Sequence, residues 1–275
     1  MKKETKLTKK INRLLKKLNC PRFLHHFGPK KYKFKQHATA LLLKEVCKMS
    51  FRRVSKLLFL LEIKVPSFSA LCKMRRRIPH WIWEKLLCLS SGIRYEQVAI
   101  DGTGFSRTNP SYHYVKRICR RKPIKSYAKL SALFDIKKKK FCALRIRTKP
   151  RHDIKDAKYL MKKVDVQTTL FGDTAYDAEW LHQYCYERKI QTQIKPRKNV
   201  RKGFYRRKQM KNYSDEKYHQ RSLIESGFGS LKRKYGSSVS GRRAKNVKAE
   251  IYCRAIAHNL GLCWERFSTE PIKQN

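Results

Sequence analysis

Acidic residues are scarce in this chain of 275 residues, 20 Asp and Glu against 68 Lys and Arg, so the places where they stand are informative. Asp101 closes the apolar run Val98-Ala99-Ile100 and is followed by Gly102-Thr103-Gly104. Asp173 closes Leu170-Phe171-Gly172 and is followed by Thr174-Ala175-Tyr176-Asp177. Each reads as a carboxylate where a strand leaves a sheet, the position at which α/β folds build sites. Two carboxylates that converge repel, and one takes up a proton unless a cation stands between them. Mg²⁺ removes that conflict, held through one or two carboxylates and phosphate oxygens. Two such ions roughly 3.5–4 Å apart serve an in-line phosphoryl displacement. An Asp in a turn is also an ordinary cap, and either residue alone reads equally well that way.

A third carboxylate separates the two readings. In Tyr218-His-Gln-Arg221-Ser-Leu-Ile-Glu225-Ser-Gly-Phe-Gly-Ser-Leu-Lys232, spacings of three, four and seven place Tyr218, Arg221, Glu225 and Lys232 along one helix face. Leu223, Ile224 and Leu231 fall on the other side. From charge alone, a Glu between Arg and Lys reads as a surface salt bridge. A solvated face has little reason to carry a Tyr and the two glycines Gly227 and Gly229, however. Those glycines suggest the close approach of another backbone, that of DNA being one possibility.

The pattern Tyr-x2-Arg-x3-Glu-x6-Lys resembles the signature of DDE-type insertion-sequence transposases at all four positions. Asp101-Gly-Thr and Gly172-Asp-Thr-Ala-Tyr-Asp resemble the family's motifs around its first and second aspartates. His152-Asp153 and His258-Asn259-Leu260 are similar to further family positions, and the likeness runs from about residue 95 to 262. It implies a catalytic and metal-binding triad of Asp101, Asp173 and Glu225, with Mg²⁺ or Mn²⁺, two ions, as cofactor. It further implies that Arg221 and Lys232 hold phosphates at the transposon end and that Tyr218 contacts the DNA end. The expected reaction is cleavage at the ends followed by attack of the freed 3′-OH on target DNA. Only 51 residues separate Asp173 from Glu225, too few for the β-rich insertion that some family members carry there, so a hairpin route to cleavage is not implied. Two rival readings stay open: a structure-selective nuclease on the same fold, and a DNA-binding remnant without activity.

The elements that must position these groups follow from periodicity. Residues 1–92 read as a helical, helix-turn-helix-like DNA-binding region. Stripes such as Ile11-Leu14-Leu15-Leu18 and Val54-Leu57-Leu58-Leu61 recur at helical spacing. Ser50 and Ser67 stand where N-caps belong. Two short helices ending at about Arg77, joined by a tight turn, would offer Lys73, Arg76 and Arg77 to DNA; the same residues read equally well as a solvated basic face.

Residues 93–275 read as the catalytic domain. Strands are expected at 97–101, 128–136 and 141–147, then a helix after Asp153, and a strand at 168–171. A helix capped by Asp177, a strand at 191–195, a basic irregular stretch at 197–211 and helices at 218–234 and 247–262 complete the order. Asp135, Asp153, Asp156 and Asp177 read as caps and turns. This β-β-β-α-β-α-β-α order predicts an α/β fold: an RNase H-like mixed sheet with helices on its faces.

Composition agrees with the resemblance. A formal net charge of +48 needs a polyanionic partner, and double-stranded DNA, as terminal inverted repeats and target, is the expected one. With 41% apolar residues, 14 Tyr and 13 Phe, a packed core is expected and disorder is not. Nine scattered Cys with no C-x-x-C pair read as reduced thiols. No apolar run of about 18 residues occurs, and no apolar stretch follows Met1-Lys2-Lys3, so neither a membrane span nor a signal peptide is expected. The chain is expected to act in the prokaryotic cytoplasm at the nucleoid, as a homodimer or higher assembly on DNA, because both ends must be cut together.

Overall fold

The computed structural model describes residues 6–24, 30–107, 117, 127–149, 151–198 and 202–261. Gly28-Pro29, Cys119, Cys263 and the expected helix end at Leu262 lie outside the described residues. Among these, the first elements are α1 (Lys6–Leu18), α2 (Phe34–Val46), α3 (Phe51–Leu60), α4 (Phe68–Arg77) and α5 (His80–Ser91). Then come β1 (Arg94–Arg107), β2 (Tyr127–Asp135), β3 (Lys140–Arg147), α6 (Ile154–Met161) and β4 (Asp165–Gly172). After a 3₁₀ turn at Thr174–Tyr176 follow α7 (Glu179–Glu187), β5 (Gln191–Ile194), α8 (Phe204–Met210) and α9 (Asp215–Tyr218). A second 3₁₀ turn, His219–Arg221, leads into α10 (Ser222–Tyr235), β6 (Ser238–Val239) and α11 (Ala244–Asn259). None of the helices is long and apolar enough to cross a membrane.

The chain divides into two compact units, residues 1–90 with 231–236 and 245–275, and residues 91–230 with 237–244. The first unit is helical. The Ser50 hydroxyl accepts from the Arg53 N–H (3.2 Å) and the Ser67 hydroxyl from the Ala70 N–H (3.4 Å), so both expected caps start their helices. Residues 61–67 join α3 to α4, a longer connection than the tight turn expected. On α4, Lys73, Arg76 and Arg77 are exposed, whereas Arg75 is buried with its guanidinium 4.7 Å from the Phe51 ring.

The first unit's centre is α11, of whose 16 residues 11 are buried, too many for a one-sided amphipathic helix. It carries charge inward. Arg254 Nη2 meets Glu250 at 2.7 Å and its Nε meets Glu45 of α2 at 3.1 Å. Arg75 meets Glu250 at 3.5 Å, and Lys44 meets Glu45 at 2.7 Å. These buried ions compensate one another, as charges withdrawn from water must.

The second unit is a mixed sheet of order β3-β2-β1-β4-β5. β1, β2 and β3 pair antiparallel, while β4 and β5 run parallel to β1. β1 does not end at Asp101 as expected. It continues to Arg107, with Asp101 opposite Ala132, Phe105 buried opposite Ala128, and β6 pairing at Ser106 and Arg107.

Alternation sends successive side chains to opposite faces. Val98, Ile100 and Leu133 pack with Ala157 and Leu160 of α6 and with Leu181 and Cys185 of α7. Asp101 therefore points to the other face. There Phe134 meets Phe141 edge-on (centroids 5.0 Å) and Phe141 stacks on Phe228 of α10 (5.7 Å).

Gly227 lets α10 settle on that face. A Cβ at this position would stand 2.7 Å from the Phe134 ring, so the glycine admits a side chain of the sheet rather than a DNA backbone. Gly227→Ala is expected to be destabilising by about 1–3 kcal/mol, the cost of overpacking a filled core, although alanine is the better helix former. Urea unfolding would report it, and an unchanged or raised midpoint would contradict this packing.

Two further expectations are corrected. Residues 204–210, within the stretch read as irregular, form α8. The helix expected over 218–234 is interrupted by the 3₁₀ turn at 219–221, so α10 begins only at Ser222. Seven described cysteines, 20, 47, 72, 88, 142, 185 and 253, are free thiols.

Candidate active site

The three carboxylates arrive from three elements of the second unit. Asp101 comes from the middle of the central strand β1, Asp173 from the residue after β4, and Glu225 from the first turn of α10. β1 and β4 are adjacent and parallel, and Ile100 pairs with Gly172. Asp101 and Asp173 thus follow a paired couple of residues and leave the two strands at the same level. The Asp101 Oδ1 accepts from the Gly102 N–H (2.7 Å), and the Asp173 Oδ1 from the Thr174 N–H (2.6 Å).

Arg221 binds the group together. Its Nη1 is 2.8 Å from Glu225 Oε1 and 3.7 Å from Asp101 Oδ2. Burial raises the Asp101 carboxyl above its ordinary value; the Gly102 N–H and Arg221 oppose that, while the charges of Glu225 and Asp173 add to it. Burial alone would lower the Arg221 pKa, but Glu225, Tyr218, Asp101 and Asp173 more than offset this and raise it. The guanidinium supplies the positive charge that converging carboxylates require. Tyr218 lies beside it, ring centroid 5.8 Å from the guanidinium carbon, and packs against Tyr213 at 5.9 Å.

The expected helix face is therefore assembled in its first three members, through a 3₁₀ turn rather than a continuous α-helix. Lys232 lies two turns further along α10, in the part that belongs to the first unit, and burial lowers its pKa. Lys73, Arg76 and Arg77 also belong to the first unit. Among the described residues, no three His, Cys, Asp or Glu side chains are gathered tightly enough to hold a metal ion as they stand. The Glu225 side chain is 54% exposed and engaged with Arg221.

The remaining acidic residues have structural partners. Asp135 accepts from the Lys138 N–H in the β2–β3 turn (2.8 Å), as expected. Asp153 makes no cap bond; it pairs with Lys129 (2.6 Å) and sits over Gly102, where a Cβ would come within 2.8 Å of its Oδ1. Asp156 is buried between Ser131 (3.0 Å) and Arg147 (2.5 Å). Nor does Asp177 cap α7, since Ala178 holds the cap position. Burial by itself would raise the Asp177 carboxyl, but hydrogen bonds from His182, the Arg197 N–H and Arg206 hold it well below the usual range. Sequence reasoning does not reach Arg206, whose partner Asp177 is 29 residues away, nor His182, which bridges Asp177 and Thr192 of the next strand.

A parallel strand pair thus delivers two aspartates at one level on the sheet, and Arg221 joins one of them to Glu225. Comparison with known proteins gives the family. The model of the Transposase DDE domain matches residues 93–260, and the chain belongs to that family. Comparison with curated protein sequences gives no match. Among solved structures, the chain is similar to the piggyBac transposase in a cryo-EM synaptic complex with hairpin DNA. The TM-score is 0.50 at 13% identity, over 98% of this chain and 75% of that one. A pre-cleavage Mos1 transpososome matches at TM-score 0.23 and 12% identity, over 90% and 80%, too low to carry an argument. At 13% identity the likeness to the piggyBac structure concerns the fold alone.

Proposed function

We propose that this chain is an insertion-sequence transposase that cleaves the element's ends and joins the freed 3′-OH strands to target DNA. The observation that carries this reading is the meeting of Glu225 and Asp101 on one guanidinium within a domain of the DDE family. The sheet order 3-2-1-4-5, three antiparallel strands followed by parallel ones, supports an RNase H-like catalytic domain.

The donor set fits hard divalent ions: carboxylates alone, one of them with a raised pKa that a cation would relieve. Asp101, Asp173 and Glu225 would hold Mg²⁺ or Mn²⁺. Two bound ions would supply activation of the attacking oxygen and stabilisation of the leaving oxygen. On this reading Arg221 gives up the carboxylates for a DNA phosphate, which its planar fork suits. Lys232 takes a second phosphate, and Tyr218 lies against the terminal nucleotide. These contacts hold the scissile bond in line, the condition under which positioning lowers a barrier.

Residues 1–92 would contribute DNA binding, with Lys73, Arg76 and Arg77 of α4 exposed for it, and 93–275 catalysis. The partners are terminal inverted repeats and target DNA, met in the prokaryotic cytoplasm by a dimer or larger assembly that holds both ends.

The test is incubation with Mn²⁺ and a plasmid carrying the element's own ends. Joined strands support the transposase; nicks without joining would favour a structure-selective nuclease; binding without any cleavage would leave a DNA-binding remnant.

A further inference from the structure

Between Asp173 and Glu225 the chain makes an excursion through α7, β5 and α8, and much of its buried polar chemistry converges on one side chain. Asp177 is 3% exposed. Its Oδ1 accepts from Arg206 Nε of α8 (2.6 Å) and lies 3.0 Å from His182 Nε2 of α7; its Oδ2 accepts from the Arg197 N–H beyond β5 (2.9 Å). The other His182 ring nitrogen is 2.9 Å from Thr192 Oγ1 of β5.

α8 is itself fastened down. Glu179 accepts from the Tyr205 N–H (2.7 Å) and the Arg206 N–H (3.3 Å). Gly203 has φ +132°, and a Cβ there would run into Glu179, so only glycine leads the chain into this helix. The Thr192 N–H donates to Gln209 Oε1 (3.0 Å), and Gln209 Nε2 donates to the Ile190 carbonyl (2.9 Å). A basic segment that reads as irregular thus directs Arg206 and Gln209 inward.

Only one 3₁₀ turn separates this knot from Asp173. The Tyr176 N–H donates to the Asp173 carbonyl (2.8 Å), and the Asp177 N–H to that of Thr174 (3.1 Å). Arg197 Nε donates to the same Thr174 carbonyl at 3.4 Å. A link this short and this bonded transmits a displacement at Asp177 to the residue that leaves β4.

We propose that Asp177, held by Arg206 and His182, is a positioning residue that sets the direction of the Asp173 carboxylate, and that Arg197 and α8 serve as its brace. The proposal rests on the reading of Asp173 as a metal ligand. Outer partners that orient a ligand typically change metal affinity by about 10–100-fold. Were the network only a support of the fold, breaking it would lower the melting temperature and leave metal affinity alone.

The experiment is Mn²⁺ titration calorimetry on the full chain, with thermal unfolding alongside. It compares wild type with Asp177→Asn, Arg206→Lys, Asp101→Asn and, as a control for lost stability, Ile194→Val in β5. Asp177→Asn is expected to weaken Mn²⁺ binding by about tenfold or more, because its amide presents N–H to donors. Arg206→Lys, which keeps the charge, is expected to fall between it and wild type, and Ile194→Val to bind as wild type does. Wild-type affinity in a folded Asp177→Asn protein overturns the proposal. If Asp177→Asn does not fold, Arg206→Lys and His182→Gln decide: weakened binding supports the brace and unchanged binding overturns it. Should Asp101→Asn also bind Mn²⁺ as wild type does, the metal reading itself fails, which is a separate result.

Discussion

Asparagine in place of Asp101 is expected to lower the rate of DNA cleavage by about a thousandfold while leaving DNA affinity nearly unchanged. Asp101 stands on the central strand, fixed by pairing with Ala132 of β2, by the Ile100–Gly172 pair just before it and by its bond from the Gly102 N–H. Asparagine keeps that shape but cannot carry the charge a divalent ion needs. Metal-borne charge stabilisation is worth several kcal/mol, and about 4 kcal/mol corresponds to three powers of ten in rate. Binding draws instead on the 68 Lys and Arg spread over the chain, through phosphate neutralisation that one neutralised aspartate barely alters. Single-turnover cleavage with saturating Mn²⁺, beside gel-shift affinity, separates the two effects. Equal loss of both would place Asp101 in folding rather than in chemistry.

The second large effect concerns stability. Glu250→Ala is expected to destabilise the helical unit by about 3–5 kcal/mol, the range for removing one partner of a buried ion pair. Glu250 is buried and answers both Arg254 and Arg75. Its loss takes the carboxylate from Arg75 and one of two carboxylates from Arg254, which keeps Glu45 and the Gly236 carbonyl. Replacing Lys44, Glu45, Arg75, Glu250 and Arg254 together by apolar residues of similar volume is expected to cost far less, since a buried ionic cluster returns little net energy over apolar packing. Chemical denaturation of both variants checks this. A change below about 1 kcal/mol for Glu250→Ala would mean that water reaches the cluster.

How much of this was legible in sequence depends on how local each determinant is. Ser50 and Ser67 cap helices through bonds three residues away, and the strands leading to Asp101 and Asp173 announce themselves as short apolar runs. The run Gly102-Thr103-Gly104 looks like a turn, and by composition it is one. It is a strand because β2 pairs along its whole length to Ser106 and Phe105 is buried, which no local window contains. The same holds for α8, where basic side chains hide a helix whose first N–H groups are received by Glu179. Asp177 precedes a helix and reads as its cap, yet its partner Arg206 is 29 residues away. Gly227 was noticed as a close-approach residue, but its neighbour Phe134 lies far off in the chain. That α11 joins the first unit left no trace in periodicity, because a helix buried on every side has no polar stripe to show. Asp101, Asp173 and Glu225 stand out in sequence by type and place; the contacts of Arg221 with Asp101 and of Arg206 with Asp177 do not.

On the proposed reading Asp101, Asp173 and Glu225 work as one metal-dependent centre on transposon ends. The most direct measurement compares wild type and Glu225→Gln on DNA carrying those ends, with Mn²⁺ and with a chelator in its place. End-specific cleavage and strand joining by wild type with Mn²⁺, absent with the chelator and absent in Glu225→Gln, is the predicted result. Cleavage that persists in Glu225→Gln, or that ignores the chelator, would contradict it.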